Sequence, residues 1–256
     1  MSLYIQKIKV VVCRGLILLP ASLFGGLVFA QSPNIVQLLK ISDRARGGLE
    51  KGASWEISLK SVEEGNESER TFAVKAKGDN AFVEALAPSR NKGEVYVFND
   101  RSMWFFKPTL KKPVVVSSRE KMTGQAANGD IASTHYARDY VPTLETTVVE
   151  GDDKLYVILL KAKSKQVTYD QIRYWISEKT KLGVKAEFLT LQGKPFKLAT
   201  FEYKNSIVQG GKKAPFVSQM TLVDSKFKDN RSVMVYTNPK AESHPDAIFN
   251  VNNVTR

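Results

Sequence analysis

The stretch "ASWEISLK", Ala53 to Lys60, decides how the chain is read: Trp55, Ile57 and Leu59 alternate with Glu56, Ser58 and Lys60. A period of two puts successive side chains on opposite faces of a strand, one apolar and one wet. The same alternation returns in Phe72, Val74 and Ala76 against Ala73, Lys75 and Lys77, and in Val184, Ala186 and Phe188 against Lys185 and Glu187. Further runs cover residues 81–87, 94–99, 103–106, 144–150, 155–162, 169–177, 183–191, 196–203, 216–227 and 232–237. Turn signals such as Gly65-Asn66, Gly78-Asp79-Asn80 and Asn99-Asp100 separate them. Roughly eleven strands with short connections and no helices between them predict an antiparallel meander. The fold class is therefore mainly β, and a sheet that wide must curl into a barrel or part of one.

Two helices interrupt the strands. Ser32-Pro33 reads as an N-cap followed by proline at the first helical position, Ile35, Leu38 and Leu39 share a face, and Gly47-Gly48 stops the run. These signals predict an amphipathic helix of about fourteen residues. The segment "GDIASTHYARDY", Gly129 to Tyr140, has Ile131 or Ala132, Tyr136 and Tyr140 at helical spacing and predicts a short second helix. The acidic run Glu63 to Glu69 reads as an exposed hairpin tip. No internal repeat or flexible linker divides the chain, so residues 31–256 are expected to form one domain.

Residues 1–30 have the pattern of a secretory signal peptide. Lys7, Lys9 and Arg14 precede an apolar run from Gly15 to Phe29, which ends in the small-x-small pattern Val28-Phe29-Ala30. Cleavage after Ala30 would deliver the chain to the periplasm. The one cysteine, Cys13, lies within this leader and ahead of its apolar run, so the mature protein is expected to have neither a disulfide nor a lipid-modified cysteine. The formal charge is +12, including the three basic leader residues. Outside the cytosol such a charge does not point to nucleic acid, and the lysines are dispersed over many predicted strands and turns. They suit solvated strand faces and protected edges, or weak attraction to an anionic membrane surface.

Signals for catalysis are sparse. The mature sequence has two histidines, His135 and His244, and no His-Glu-x-x-His, Gly-x-Ser-x-Gly or phosphate-cradling glycine loop. His135 and Asp139 stand at i, i+4 with Ser133 and Thr134 nearby, which fits a metal or triad fragment, a helix-stabilising pair, or a polar contact between the helix and a loop. No cofactor or metal site is expected. The aromatics of the predicted strands, among them Trp55, Phe72, Tyr96, Trp104, Phe106, Tyr174 and Phe188, fit either an ordinary core or a concave face left for a ligand.

The segment "MWFFKPTLKKPVVVSS", Met103 to Ser118, reads as a strand with Trp104 and Phe106 toward the concavity, a turn at Pro108 with Lys111 and Lys112 in water, and a return through Val114 to Val116. Its run Trp104-x-Phe106-x-Pro108, with Met122-x-Gly124, Gly129-Asp130-Ile131 and the Tyr136 to Tyr140 stretch, resembles the central signature of the outer membrane lipoprotein-sorting (LolA-like) family. "IRYWISEKTKLGVKAEFLTLQGKPFKLATFEY", Ile172 to Tyr203, and the ending "HPDAIFN", His244 to Asn250, are similar to the same family. The resemblance covers most of the mature chain. It departs at Arg138-Asp139-Tyr140, where the family usually closes the signature with an acidic residue and a leucine.

The resemblance implies an unclosed antiparallel β-barrel with helices laid over its concave side. It also implies a non-enzymatic carrier or chaperone, monomeric, that shields the acyl chains of a lipoprotein or lipid between an inner-membrane transporter and an outer-membrane acceptor. On this reading the candidate lipid-binding residues are Trp55, Ile57, Phe72, Val74, Trp104, Phe106, Met122, Ile131, Tyr136 and Phe188. A second reading makes the chain an accessory or sensing module of a periplasm-facing transporter or signalling protein, its concavity filled by its own side chains.

Overall fold

The computed structural model describes residues 33–99, 102–132 and 134–254. The leader, the Ser32 cap and Ser133 lie outside the described residues.

Helix α1 (Ile35–Arg44) starts two residues later than Ser32-Pro33 suggests. Asn34 is its N-cap, with its side-chain oxygen accepting the N–H of Gln37 at 3.0 Å, which satisfies one of the donors every helix start leaves free. The helix is ten residues long. It ends where Gly47 takes the left-handed conformation (φ +94°), with the Trp55 ring so close that an added Cβ would come within 2.6 Å of it.

The strands are β1 (Ala53–Glu63), β2 (Asn66–Lys77), β3 (Asn80–Ala87), β4 (Val95–Asn99), β5 (Ser102–Phe106) and β6 (Val114–Val116). A small hairpin, β7 (Lys121–Thr123) and β8 (Ala126–Ala127), and helix α2 (Tyr136–Asp139) follow. The chain continues through β9 (Tyr140–Glu150), β10 (Asp153–Ala162), β11 (Gln171–Ser177), β12 (Gly183–Leu189) and β13 (Pro195–Glu202). A second small hairpin, β14 (Asn205–Gln209) and β15 (Lys212–Phe216), precedes β16 (Gln219–Asp224) and β17 (Arg231–Lys240).

Thirteen strands form one sheet in the order β6-β5-β4-β3-β2-β1-β17-β16-β13-β12-β11-β10-β9, more than the eleven or so expected. Its ladders are antiparallel, as the meander requires. Neighbours in the sheet follow chain order except at two places: β13 pairs with β16 across the β14–β15 hairpin, and β17 returns to pair with β1, setting Tyr236 opposite Ile57. The edge strands β6 and β9 do not pair with each other among the described residues, so the barrel is unclosed.

One apolar face follows from the register. Trp55 lies opposite Val74 and Ile57 opposite Phe72, and all four are buried. Leu38 and Leu39 of α1 join the same core. Cross-strand partners share a face, and this reverses the expectation for β5. Tyr96 and Phe98 of β4 face the core, so their partners Phe105 and Met103 face it too. Trp104 and Phe106, opposite Val97 and Val95, are partly buried on the other face. Four apolar residues in succession carry no alternation, so parity here came from the neighbouring strand.

Two other expectations are corrected. The run 216–227 is not one strand: Phe216 ends β15, and the Val217 N–H donates to the Ala45 carbonyl at 2.8 Å. The helix expected over Gly129 to Tyr140 is two short pieces, a 3-10 turn at Asn128–Ile131 and α2, separated by extended backbone at Ala132. Asp130 accepts the Ala127 N–H at 2.8 Å, which favours the tight turn over a continuous helix. The acidic tip is as expected, with the β1–β2 turn at Glu64-Gly65.

Phe72 is fully buried and Val115 is 64% exposed. Phe72→Ala should therefore lower stability by about 3–5 kcal/mol, whereas Val115→Thr should stay within about 0.5 kcal/mol. Equilibrium urea unfolding of the two variants checks the assignment of faces.

Candidate functional site

The concave face is covered by α1 and α2, which touch each other and rest on the sheet. Polar contacts fasten this cover. The hydroxyls of Ser42 and Tyr174 (β11) share a 2.7 Å hydrogen bond, and the Gly183 N–H at the start of β12 donates to Ser42 Oγ at 3.1 Å. Asp43 Oδ2 accepts the Ala137 N–H at 2.9 Å, joining α1 to α2. Arg138 bridges to Asp79 in the β2–β3 turn through Nη1 and to Asp139 through Nε, both at 2.7 Å.

Under this cover lies a buried cation. The Arg46 guanidinium sits 4.2 Å from the Phe201 ring centroid and 5.2 Å from that of Tyr136. Its Nη2 points at the Met220 sulfur at 3.7 Å, and its Nη1 has no hydrogen-bond partner among the described residues. Aromatic faces supply part of what water would have given the charge. Burial pushes the Asp43 carboxyl up to about 7, against the lowering effect of the Ala137 and Tyr136 N–H groups and of Arg46. Burial, with Arg138 beside it, pulls His135 down to about 4, while Asp79 and Asp139 act in the opposite direction.

A second buried polar group lines the concavity. Tyr169 O–H donates to Asp130 at 2.7 Å, and Lys197 Nζ donates to the Tyr169 oxygen at 3.0 Å. Burial lowers the Lys197 pKa, with Asp130 opposing. The Tyr169 ring stacks on Phe188 at 3.9 Å.

The structure brings Trp55, Ile57, Phe72, Val74, Ile131, Tyr136 and Phe188 together in one buried core, with Met122 packed at its margin. Trp104 and Phe106 are not part of it. A half-open pocket beside α2, lined by Arg46, Asp130, His135, Tyr136, Tyr140 and Tyr169 among others, holds about 100 Å³. Ligand pockets usually hold about 300–1,000 Å³. In this state the concavity is filled by its own side chains.

His135 is the N-cap residue of α2 and Asp139 its last residue. His135 Nδ1 lies 3.8 Å from Asp79, so the pair belongs to a polar contact between the helix and a loop. Among the described residues no group of three or more His, Cys, Asp or Glu side chains could hold a metal ion. No helix among them is long and apolar enough to cross a membrane.

Residues 77–256 match a family whose description reads "-like: Uncharacterized protein". The structure is similar to that of a LolA superfamily protein from Nitrosomonas europaea, with a TM-score of 0.75 and 26% identity over 84% of this chain and 97% of that one. It is also similar to a domain ascribed to an outer membrane lipoprotein-sorting protein of Vibrio parahaemolyticus, with a TM-score of 0.71 and 17% identity over 86% of this chain and 98% of that one. The chain belongs to the matched family and is LolA-like. Among curated proteins, none matches it significantly.

Sequence reasoning about this LolA-like protein missed Ser42, Asp43 and Arg46. Their signal was present: they continue the face begun by Leu38 and Leu39 at helical spacing, so polar residues occupy positions where an apolar face requires burial. Lys197 likewise shares the alternation of Ala199 and Phe201, both in the core.

The two shifted groups set opposite pH dependences. Asp43 has a raised folded pKa, so its contribution to stability is complete below the ordinary 3.8 and lost as pH rises through about 7. His135 has a lowered one, so its contribution is present above the ordinary 6.5 and lost as pH falls through about 4. Between about 4 and 6.5 the two slopes oppose. Relative to wild type, Asp43→Asn should gain thermal stability as pH rises across that window and His135→Asn should lose it. Melting curves over the range check both signs.

Proposed function

We propose that this LolA-like protein is an exported, periplasmic carrier or chaperone that shields the acyl chains of a lipoprotein or lipid beneath α1 and α2, and that its leader is cut after Ala30. The observation that carries this reading is the nature of the cover. Two short helices close the apolar face of an unclosed sheet, and discrete polar contacts at Ser42, Asp43 and Arg138 hold them there. Each such hydrogen bond contributes on the order of 1 kcal/mol, so the cover can open without unfolding the sheet.

Acyl chains would enter by exchange. Leu38 and Leu39 fill the concavity in the closed state, and a swing of α1 would release their places to methylenes. Burial of a methylene is worth about 0.8 kcal/mol, so a roughly sixteen-carbon chain could gain on the order of 10 kcal/mol if wholly desolvated. Displacing the two leucines offsets part of that gain, which leaves the cargo removable by an acceptor of higher affinity. Trp55, Ile57, Phe72, Val74, Ile131, Tyr136 and Phe188 are the proposed contacts, with Met122 at the margin. An inner-membrane transporter as donor and an outer-membrane acceptor are the proposed partners, and no catalytic group is needed.

The small volume of the pocket, about 100 Å³, favours a second reading: a non-catalytic accessory or sensing module of a periplasm-facing transporter or signalling protein that never opens. One experiment separates the two. Protein purified natively from the cell envelope should yield a bound lipid or lipopeptide by mass spectrometry of its organic extract, and should take up a fluorescent fatty acid. Ser42→Ala, which frees α1 from Tyr174 and Gly183, should take it up about fivefold faster, the factor for about 1 kcal/mol. No extractable lipid and no uptake by either form would leave the accessory reading.

A further inference from the structure

The carrier reading leaves unused one end of the sheet, where two neighbouring turns expose large apolar side chains. Leu191, in the turn between β12 and β13, is 70% exposed, and Phe227, in the turn between β16 and β17, is 67% exposed. Phe196, at the start of β13, is 40% exposed. The two turns are adjacent: Ser225 donates its N–H to the Phe196 carbonyl and its hydroxyl to the Pro195 carbonyl, each at 3.0 Å. Neighbouring turns at one end of the sheet thus each carry an exposed apolar side chain, and Leu191 and Phe196 line a common cleft.

Both turns are built to hold that display. Asp224 Oδ1 accepts the N–H groups of Lys226 and Phe227 at 2.8 and 2.9 Å, and the Asn230 N–H donates to the Phe227 carbonyl at 2.9 Å. On the other turn, Gln171 Nε2 donates to the carbonyls of Thr190 and Leu191 at 3.2 and 2.9 Å. Rigid turns that keep leucine and phenylalanine in water forgo the burial an ordinary loop would find for them.

The charge around these turns is positive. Lys194, Lys226 and Lys228 are exposed on the same turns. Behind Leu191 and Phe196 runs a cleft of about 350 Å³ that Arg119 and Lys197 also line. Arg119 gives Nη1 to Asp170 at 2.7 Å, while its Nε and Nη2 have no hydrogen-bond partner among the described residues. Of the nearby acids, Asp224 is engaged in holding its turn and Asp170 in pairing with Arg119, which leaves Asp229 as the exposed carboxylate on these turns.

We propose that this end of the molecule docks on a lipid bilayer containing anionic phospholipids. Phe227 and Leu191 enter the interfacial region, Lys194, Lys226 and Lys228 meet the phosphates, and the cleft of Arg119 and Lys197 receives a head group. Projecting apolar tips ringed by lysine suit a soft, negatively charged surface, where buried apolar area and electrostatic attraction add. The apolar tips and the exposed lysines lie outside α1, α2 and the concave core, so docking by them stands apart from the carrier reading, while Lys197 at the floor of the cleft is shared with the buried group beside Tyr169.

The exported protein, purified from the envelope, should co-sediment with mixed phosphatidylethanolamine and phosphatidylglycerol vesicles, more weakly with phosphatidylcholine vesicles, and less as salt is raised. The double variant Leu191→Ser/Phe227→Ser should bind the anionic vesicles at least about tenfold more weakly, with its melting temperature and fatty-acid uptake unchanged. Replacing Lys194, Lys226 and Lys228 by glutamine should remove the salt dependence. Absence of binding to anionic vesicles, or full binding by the double variant, overturns the proposal. Capture of an acidic soluble protein by these turns without vesicle binding would assign them to a protein partner and overturn the proposal equally.

Discussion

A thirteen-stranded sheet whose edges do not meet has a wide concave apolar face that must be kept from water, and the rest of the structure depends on how this is done. The pairing of β17 with β1 brings the C-terminal strand to the N-terminal one and joins the two halves of the meander. Curvature then turns Trp55, Ile57, Phe72 and Phe188 toward a common interior. Closing the barrel would have removed both edges. Leaving it open makes a separate cover necessary.

That cover is made from little. Helix α1 has ten residues and α2 four, too short to be stable without the sheet beneath them. Their apolar contribution is completed by groups that an interior normally excludes: a carboxyl at Asp43, a guanidinium at Arg46 and a hydroxyl at Ser42. Such groups are expensive to bury unless paired, and here the pairing is partial: it runs between the cover and the sheet or between the two helices, while Asp43 Oδ1 and Arg46 Nη1 have no hydrogen-bond partner among the described residues. Position and hydrogen bonding are therefore linked. Moving α1 would break the Ser42 and Asp43 contacts together, which is the behaviour of a latch more than of a core.

Much of the fold was legible in the alternation of side chains. Trp55, Ile57 and Leu59 with Phe72, Val74 and Ala76 carried their facing in the sequence, because polar residues marked the opposite side. Where that contrast disappears the reading failed, as in Met103 to Phe106, whose parity was fixed by Tyr96 and Phe98 across the ladder. Of the candidate site, the apolar wall was readable and the polar fastenings were not. The helical spacing of Ser42, Asp43 and Arg46 puts them on the face of Leu38 and Leu39, but their partners Tyr174, Ala137 and Phe201 lie far off in sequence and only the fold brings them there.

Sequence alone carried most strands of the main sheet, the amphipathic first helix, the acidic hairpin tip and the ordered set of residues by which the chain resembles the LolA-like family, and with that resemblance the unclosed barrel. These are local or linear properties, set by periodicity, turn chemistry and the order of motifs along the chain. It took the tertiary structure to settle which strands form the two free edges, that Trp104 and Phe106 face away from the core, and that the exposed Leu191 and Phe227 stand on neighbouring turns. Each of these depends on register and on contacts between residues far apart in sequence. No window of the chain contains both partners.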